Sequence, residues 1–231
     1  MIEVTMFLIG KSELLCHNKL MADPDNEFAA LLAKINAKKK KTPEDRALAS
    51  KYEFIGSLYI PESTEKEPTL GPCMPASAIV ASLMEWGGLS NRARPIGRAI
   101  QPSIHNVPIQ YDEDAPRTPE ELFKYANGMF VHRIPVKLKG RDTRVMRTRP
   151  KFLPWALTMP AVVEDKMVGI EELKEIGAKA GRFFGIGDSR RQGNGRYDFV
   201  LKTEAELKAQ REAEQKKVLK VEQESEAEAA S

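Results

Sequence analysis

The sequence is poor in the residues that build metal centres and disulfide frameworks. Only two cysteines and three histidines occur among its 231 residues. Cys16 and Cys73 lie far apart in no metal-like spacing, so neither a zinc site nor a disulfide framework is indicated. This usage is typical of a reducing compartment, and we expect a cytoplasmic protein without a cofactor or a resident metal.

Long apolar runs and nucleotide-binding signatures are also missing. The N-terminus, MIEVTMFLIGKSELL, has no basic region before its short apolar run, and no run approaches about 18 apolar residues. We therefore expect neither a signal peptide nor a membrane span. No G-x-x-x-x-G-K-[ST] motif occurs, and no G-x-G-x-x-G lies between a strand and a following helix, which excludes the Walker loop and the dinucleotide fingerprint.

The charge is distributed unevenly along the chain. The net charge is +3, but residues 202–231 contain six basic and eight acidic residues, so residues 1–201 hold about +5. Hydrophobic residues make up 42% of the chain, enough for one substantial core. A mild basic bias permits a nucleic-acid partner without requiring one.

Apolar periodicity predicts an α+β fold. Period-two patterns predict strands near 2–9, 130–138, 155–163 and 196–201, and stripes spaced three or four residues apart predict helices near 76–86 and 170–184. This order is the one that a ferredoxin-like, RRM-type antiparallel sheet with its helices on one face requires. We expect such a core domain over residues 1–201.

The remaining segments are predicted to be insertions and a tail. A helical hairpin is expected at about 24–53, with a strong cap at Thr42-Pro43-Glu44-Asp45, and a strand at 54–61. The segment 88–128 is interrupted by prolines and is expected to be irregular. Residues 202–231 have almost no apolar face and are predicted to form a charged helical or disordered tail. From Glu204 onward this tail is expected to be removable without unfolding the core.

The densest positive region lies between residues 137 and 151, with seven basic residues and one acid. A solvated surface hairpin is one interpretation. Its excess of arginine over lysine favours bidentate phosphate contacts instead. The candidate nucleic-acid-binding residues of this region are Lys137, Lys139, Arg141, Arg144, Arg147 and Arg149.

A second candidate region follows the 170–184 helix, in the stretch GRFFGIGDSRRQGNGRYDF. It is either a long glycine-rich turn or a loop in which glycines let exposed amides and guanidinium groups approach a phosphate backbone closely. The candidate residues here are Gly187, Ser189, Arg190, Arg191, Gly193, Gly195 and Arg196.

Two segments together resemble a known family. The segment GPCMPASAIVASLMEW, after the Ile60-Pro61 pair, is similar to the strand-to-helix segment of the RAMP superfamily, whose members form the RNA-binding backbones of CRISPR effector complexes. The stretch AGRFFGIGDSRRQGNGRYDF resembles the C-terminal helix, glycine-rich loop and strand of that superfamily. The resemblance implies a divergent, bacteriophage-encoded RAMP-type protein. It also implies binding of a single strand within a homo-oligomer or larger nucleoprotein complex.

Three functions remain open at this point. The first is sequence-independent binding of single-stranded RNA or DNA by a filament-type subunit, with arginines on the phosphates and aromatic residues such as Tyr197 under the bases. The second is a structural or protein-interaction role in a phage, without nucleic acid. A nuclease is third, with His17 as the only weak catalytic candidate, because no motif surrounds it. The acidic run Asp112-Glu113-Asp114 is interpreted as solvated rather than as a magnesium site, so no catalytic residue is predicted.

Overall fold

The fold is built on antiparallel sheets flanked by helices. The computed structural model describes residues 1–61, 71–137, 143–213 and 215. The strands are β1 (Ile2–Gly10), β2 (Leu14–Leu15), β3 (Cys73–Pro75), β4 (Ile100–Pro102), β5 (Asn106–Pro108), β6 (Val131–Lys137), β7 (Arg144–Phe152), β8 (Ala156–Val163) and β9 (Tyr197–Thr203). The helices are α1 (Glu27–Asn36), α2 (Pro43–Ser57), α3 (Ala76–Gly87), α4 (Ala93–Ala99), α5 (Pro119–Lys124) and α6 (Ile170–Phe183).

The main sheet has four strands in the order β4-β8-β1-β9, and all neighbours are antiparallel. β1 is central and pairs Met6 with Met159 of β8 on one side and with Leu201 of β9 on the other. All three side chains are at most 3% exposed. Alternating apolar residues of the strands therefore form one buried face of the sheet.

Helices α6 and α3 cover this core. Leu173, Ile176 and Ala180 of α6 are buried, as their helical spacing requires, and α6 packs on β9. α3 packs beside α6 and buries Ile79 and Leu83. The outer face of α6 is charged, so a single apolar stripe fixes how the helix lies on the sheet.

A second, three-stranded sheet, in the order β2-β7-β6, joins the core through β2. Leu14 and Leu15 of β2 pair with Phe152 and Lys151 of β7. β6 and β7 form a long hairpin, and the helical hairpin of α1 and α2 packs against β7. β3 and β5 form a separate two-stranded ribbon before α3.

The α+β class and the antiparallel sheet are confirmed, but one predicted strand lies elsewhere. The 130–138 strand was expected in the main sheet, and that prediction is wrong: β6 pairs with β7 in the second sheet. The fourth place in the main sheet is taken by β4. Sequence pattern detects a strand but not its neighbour, since both sheets need the same alternation.

The segment 88–128, predicted to be irregular, contains α4, β4, β5 and α5. Two of its prolines occupy positions where the missing N–H group is tolerated. Pro95 lies in the first turn of α4, where no intrahelical donor is needed, and Pro102 ends the edge strand β4. Prolines therefore mark the ends of short elements here rather than their absence.

The helical hairpin expected at 24–53 is present, but the strand expected at 54–61 is not. α2 continues to Ser57, because the Thr42 cap starts a helix whose last turns bury Phe54 and Ile55. Residues 204–213 of the predicted tail are helical, and the tail beyond them, apart from residue 215, lies outside the described residues. Of the helices in the described ranges, none has the length and apolarity to cross a membrane.

Candidate nucleic-acid interface

The glycine-rich loop, residues 184–196 between α6 and β9, is folded tightly on itself and on β2. A Cβ on Gly195 (φ +68°) would lie 1.7 Å from the carbonyl oxygen of Ile186, and one on Gly187 (φ +84°) would lie 2.4 Å from that of Leu15. No side chain fits either position. These two glycines are therefore explained by packing within the protein, which corrects their interpretation as points of close approach for a ligand.

Gly193 differs from the other glycines of the loop. Its backbone is also left-handed (φ +92°), but no atom lies within 4 Å of a Cβ placed there. Its carbonyl accepts a hydrogen bond from the Ser12 hydroxyl at 2.8 Å. Of the three candidate glycines, Gly193 alone has open space in front of it.

The loop is held in place by residues 12–15 near the N-terminus. The amides of Gly195 and Asp188 donate to the carbonyls of Glu13 and Leu15, each at 2.8 Å. The Ser12 hydroxyl also accepts from the Arg196 amide at 2.9 Å. Sequence reasoning missed Ser12, because a lone serine more than 180 residues away carries no local signal.

Two of the candidate arginines on β7 are engaged inside the protein. Arg147 and Arg149 each donate from Nη1 to Glu53 Oε1 at 3.0 Å. Arg149 also donates from Nε to Asp188 Oδ2 at 3.0 Å, and its side chain is only 12% exposed. The structure therefore gives both arginines partners within the protein, the buried Glu53 carboxylate for both and the partly exposed Asp188 for Arg149, so phosphate binding by them stays a prediction that would compete with these ion pairs.

The outer part of the β6–β7 hairpin, from Arg133 to Arg147, is termed the arm. Lys137 and Arg144 lie opposite each other at its outer end, and both are exposed. Ile134, Val136 and Met146 are exposed too, at 38%, 38% and 49%. The candidates Lys139 and Arg141 lie outside the described residues.

The loop arginines line open space, whereas Arg149 of β7 is almost fully enclosed and Arg147 lines a smaller cavity of about 350 Å³ beside α2. A groove of about 650 Å³ runs between the loop and the C-terminal end of α6. Besides Phe183, its lining includes five of the predicted residues, which the structure thus brings together: Gly187, Ser189, Arg190, Arg191 and Arg196. Ser189 has a left-handed backbone (φ +55°) that turns the chain into the arginine run.

These three arginines differ in their partners. Arg190 forms an ion pair with Glu85 of α3. Arg196 donates from Nη2 to the carbonyl of Arg190 at 3.2 Å, whereas its buried Nη1 has no hydrogen-bond partner among the described residues. Arg191 is exposed and makes no ion pair in the part of the chain that the structure describes. Two guanidinium groups therefore retain donors for an anion.

A second groove of about 440 Å³ lies between the loop and the start of α3. His17, Lys19, Tyr59 and Ser77 line it, and it shares Gly187, Asp188 and Arg190 with the first groove. Partial desolvation and the charge of Arg149 lower the pKa of His17. His17 is therefore neutral at pH 7, and Lys19 and Arg190 supply the positive charge.

The expectation that Tyr197 lies under a base is wrong, because Tyr197 is only 2% exposed. Sequence reasoning also missed the aromatic wall of the first groove. Phe183 is 54% exposed, and its ring stacks on Trp86 of α3 with centroids 5.5 Å apart. A signal was present in the sequence. The apolar stripe of α6 continues to Phe184, so the adjacent Phe183 falls off that stripe and must point elsewhere.

Neither protein-family models nor curated proteins give a match to this chain. In the described ranges, no group of three or more histidine, cysteine, aspartate or glutamate side chains could hold a metal ion. The geometry of the grooves, and not a relative, therefore carries the functional argument.

Proposed function

We propose that the protein binds single-stranded nucleic acid, RNA or DNA, without sequence preference. The observation that carries this proposal is the pair of grooves on the two sides of the glycine-rich loop, which share Gly187, Asp188 and Arg190. They place Arg190, Arg191, Arg196 and Lys19 along one path beside the exposed ring of Phe183. Cations that follow a phosphate backbone, next to an aromatic ring, are the elements of sequence-tolerant single-strand binding.

The core is proposed to be ferredoxin-like and related to the RAMP superfamily. In chain order the main-sheet elements are β1, α3, β4, β8, α6 and β9, and the sheet order is β4-β8-β1-β9. Two strand-helix-strand units interleaved in one antiparallel sheet support this assignment. The glycine-rich loop between α6 and β9 has the position that the resemblance requires. A bacteriophage origin and a location in the host cytoplasm belong to the same proposal.

We also propose that the protein is a non-catalytic subunit that associates with copies of itself in a filament-type assembly. The arm exposes Ile134, Val136 and Met146 on a hairpin, and among the described strands β6 has a pairing partner on one side only. An exposed apolar hairpin with a free strand edge is suited to contact another protein. The same observation favours the second candidate, a phage structural or protein-interaction subunit that does not bind nucleic acid.

A salt titration tests the proposal. Labelled oligonucleotides, one RNA and one DNA, are titrated with wild type and with Arg190→Ala combined with Arg191→Ala. We expect wild-type affinity to fall linearly with salt on logarithmic axes. For every phosphate that the variant no longer neutralises, the slope should flatten by about 0.7.

The matched control removes the same charge elsewhere. Arg94→Ala with Lys166→Ala affects two exposed residues that line neither groove. This variant should keep the wild-type slope. Absence of binding by wild type at low salt would overturn the proposal and leave the protein-interaction candidate.

A further inference from the structure

The aromatic cluster at the end of α6 has a geometry that the hydrophobic core does not require. Phe183 is the last residue of α6, and more than half of its surface is exposed, whereas its neighbour Phe184 is half-buried. An exposed phenyl ring forgoes the favourable free energy of burying its apolar surface, whereas a polar residue at this place would lose nothing by exposure. A ring at this place therefore suggests a ligand that covers it.

The ring of Phe183 is held in a fixed orientation. Trp86 stacks on it at 5.5 Å with an interplanar angle of 20°, and Phe184 meets Trp86 edge-on at 6.0 Å. Lys179 lies over the Trp86 ring at 5.7 Å. A ring supported in this way loses little conformational freedom when another flat group stacks on it.

Anion-binding groups stand in the same groove. Arg191 makes no ion pair within the described ranges, and the Nη1 of Arg196 is buried there without a hydrogen-bond partner. A buried guanidinium donor without a partner is costly, and an oxyanion would satisfy it. The Arg182 guanidinium lies over the Phe183 ring, 5.5 Å from its centroid, and adds positive charge beside the aromatic wall.

We propose that Phe183 is a stacking platform for one base of the bound strand, and that Arg191 and Arg196 hold the adjacent phosphate. This inference deepens the proposed function and rests on it. A flat apolar group joined to an anion matches the groove: the aromatic wall takes the base and the guanidinium wall takes the phosphate. Because every base has a π-face, such a site binds any sequence.

An abasic strand separates the two halves of the site. Fluorescence anisotropy compares a labelled oligothymidine with an abasic deoxyribose-phosphate strand of the same length. Wild type should bind the thymidine strand roughly tenfold more tightly, the effect of stacking one base. Phe183→Leu should remove most of that preference and leave the salt slope unchanged, since the substitution removes no charge. Phe183→Tyr should restore the preference.

The arginine half of the site is tested with Arg191→Ala, which should weaken binding of both strands and flatten both salt slopes. Leu48→Ala, at an apolar position of α2 that is 40% exposed, is the control and should behave as wild type. Thermal melts establish that each variant is folded.

The outcomes distinguish the two proposals. If wild type binds the thymidine strand but Phe183→Leu keeps the full preference over the abasic strand, the platform is wrong and the proposed function survives. If wild type binds the thymidine and abasic strands equally well, the platform is likewise wrong and the proposed function survives. If wild type binds neither strand at low salt, the proposed function itself fails. In that case, contact with a protein partner would be the remaining explanation for the exposure of Phe183.

Discussion

The arginines of β7 and those of the glycine-rich loop are similar in sequence and different in the structure. Arg147 and Arg149 bind the buried carboxylate of Glu53, which is 6% exposed. Arg191 and Arg196 line an open groove. The first pair therefore connects α2 to the second sheet, and the second pair is available to a ligand.

Charge density does not identify a binding surface until the counter-charges are placed. Glu53 lies 94 residues before Arg147 in the sequence and within hydrogen-bond distance of it in space. It also accepts from the Thr148 amide at 2.9 Å. One carboxylate thus pairs with two arginines that the sequence alone would assign to phosphate. Substitutions at Glu53 and in the glycine-rich loop should therefore have different effects.

The largest effect is expected from Gly195→Ala in the loop. The new Cβ would overlap the carbonyl oxygen of Ile186 in a left-handed backbone. Strain and overlap, roughly 1–3 kcal/mol each, should lower the free energy of unfolding by about 4 kcal/mol. Urea denaturation measures this value. Gly193→Ala, with the same kind of φ but open space, should cost only about 1 kcal/mol. Equal costs would show that the loop does not pack as described.

Glu53→Gln should have the next largest effect. It leaves Arg147 and Arg149 without their shared carboxylate, and breaking a buried ion pair typically costs about 3 kcal/mol or more. The change is measured by urea denaturation.

Glu120→Gln is the control for this variant. Glu120 is exposed on α5 and has no side-chain partner in the described ranges, so its loss should change stability by less than about 0.5 kcal/mol. If Glu53→Gln destabilised the protein as little as Glu120→Gln, Arg147 and Arg149 would not be held by Glu53. They would then be as available to a ligand as the loop arginines.

Tyr197→Phe should have a smaller effect that depends on pH. The Tyr197 hydroxyl lies 2.9 Å from Ser82 Oγ, and its loss should cost about 1 kcal/mol at pH 8. Burial raises the pKa of Tyr197 to about 12 from its ordinary value near 10. Folding therefore favours the protonated phenol. The stability this provides is complete below pH 10 and is lost as the pH rises towards 12.

The measurement for Tyr197 is the stability difference between wild type and Tyr197→Phe from pH 8 to 11. Comparing the two proteins cancels the titration of the lysines and the other tyrosines. The difference should shrink, or reverse, above pH 10. A constant difference would mean that the hydroxyl is not buried between α3 and β9.

The smallest effect on stability is expected from Glu85→Gln. Its ion pair with Arg190 is exposed, and exposed pairs contribute about 0–1 kcal/mol. Removing this carboxylate from the groove should release Arg190 and tighten binding of a single strand about threefold at low salt, as one added positive charge would. Anisotropy titrations measure the change. Weaker binding by Glu85→Gln would show that the groove is not the path of the strand.

Much of the fold could be predicted because its signals are local. The stripe of α6 and the alternation of β1 and β8 predicted these elements at nearly their observed bounds. β4 has three residues, too few for any periodicity, and was missed. The pairing of β6 with β7 instead of β8 depends on tertiary contacts that the alternation of β6 does not specify.

The candidate site was predictable in its charged loop and not in its surroundings. Arginines and glycines clustered in the sequence identify the loop, but Glu53, Ser12 and Trp86 come from distant parts of the chain. Whether a guanidinium group is paired or open depends on such distant residues. The local sequence pattern therefore identified Arg190, Arg191, Arg196 and Arg149 alike as candidate phosphate ligands. It could not show that Arg149 is enclosed and paired within the protein.

The central position of β1 has a consequence for synthesis of the protein on the ribosome. The partners of Met6 on the two sides are Met159 and Leu201, so β1 is made well before either of the strands that pair with it. At roughly 5–20 residues per second, β1 waits about 10 s or longer with both edges unpaired. Nascent chains stalled before residue 156 should thus expose an apolar strand that chaperones recognise, and longer chains should release it.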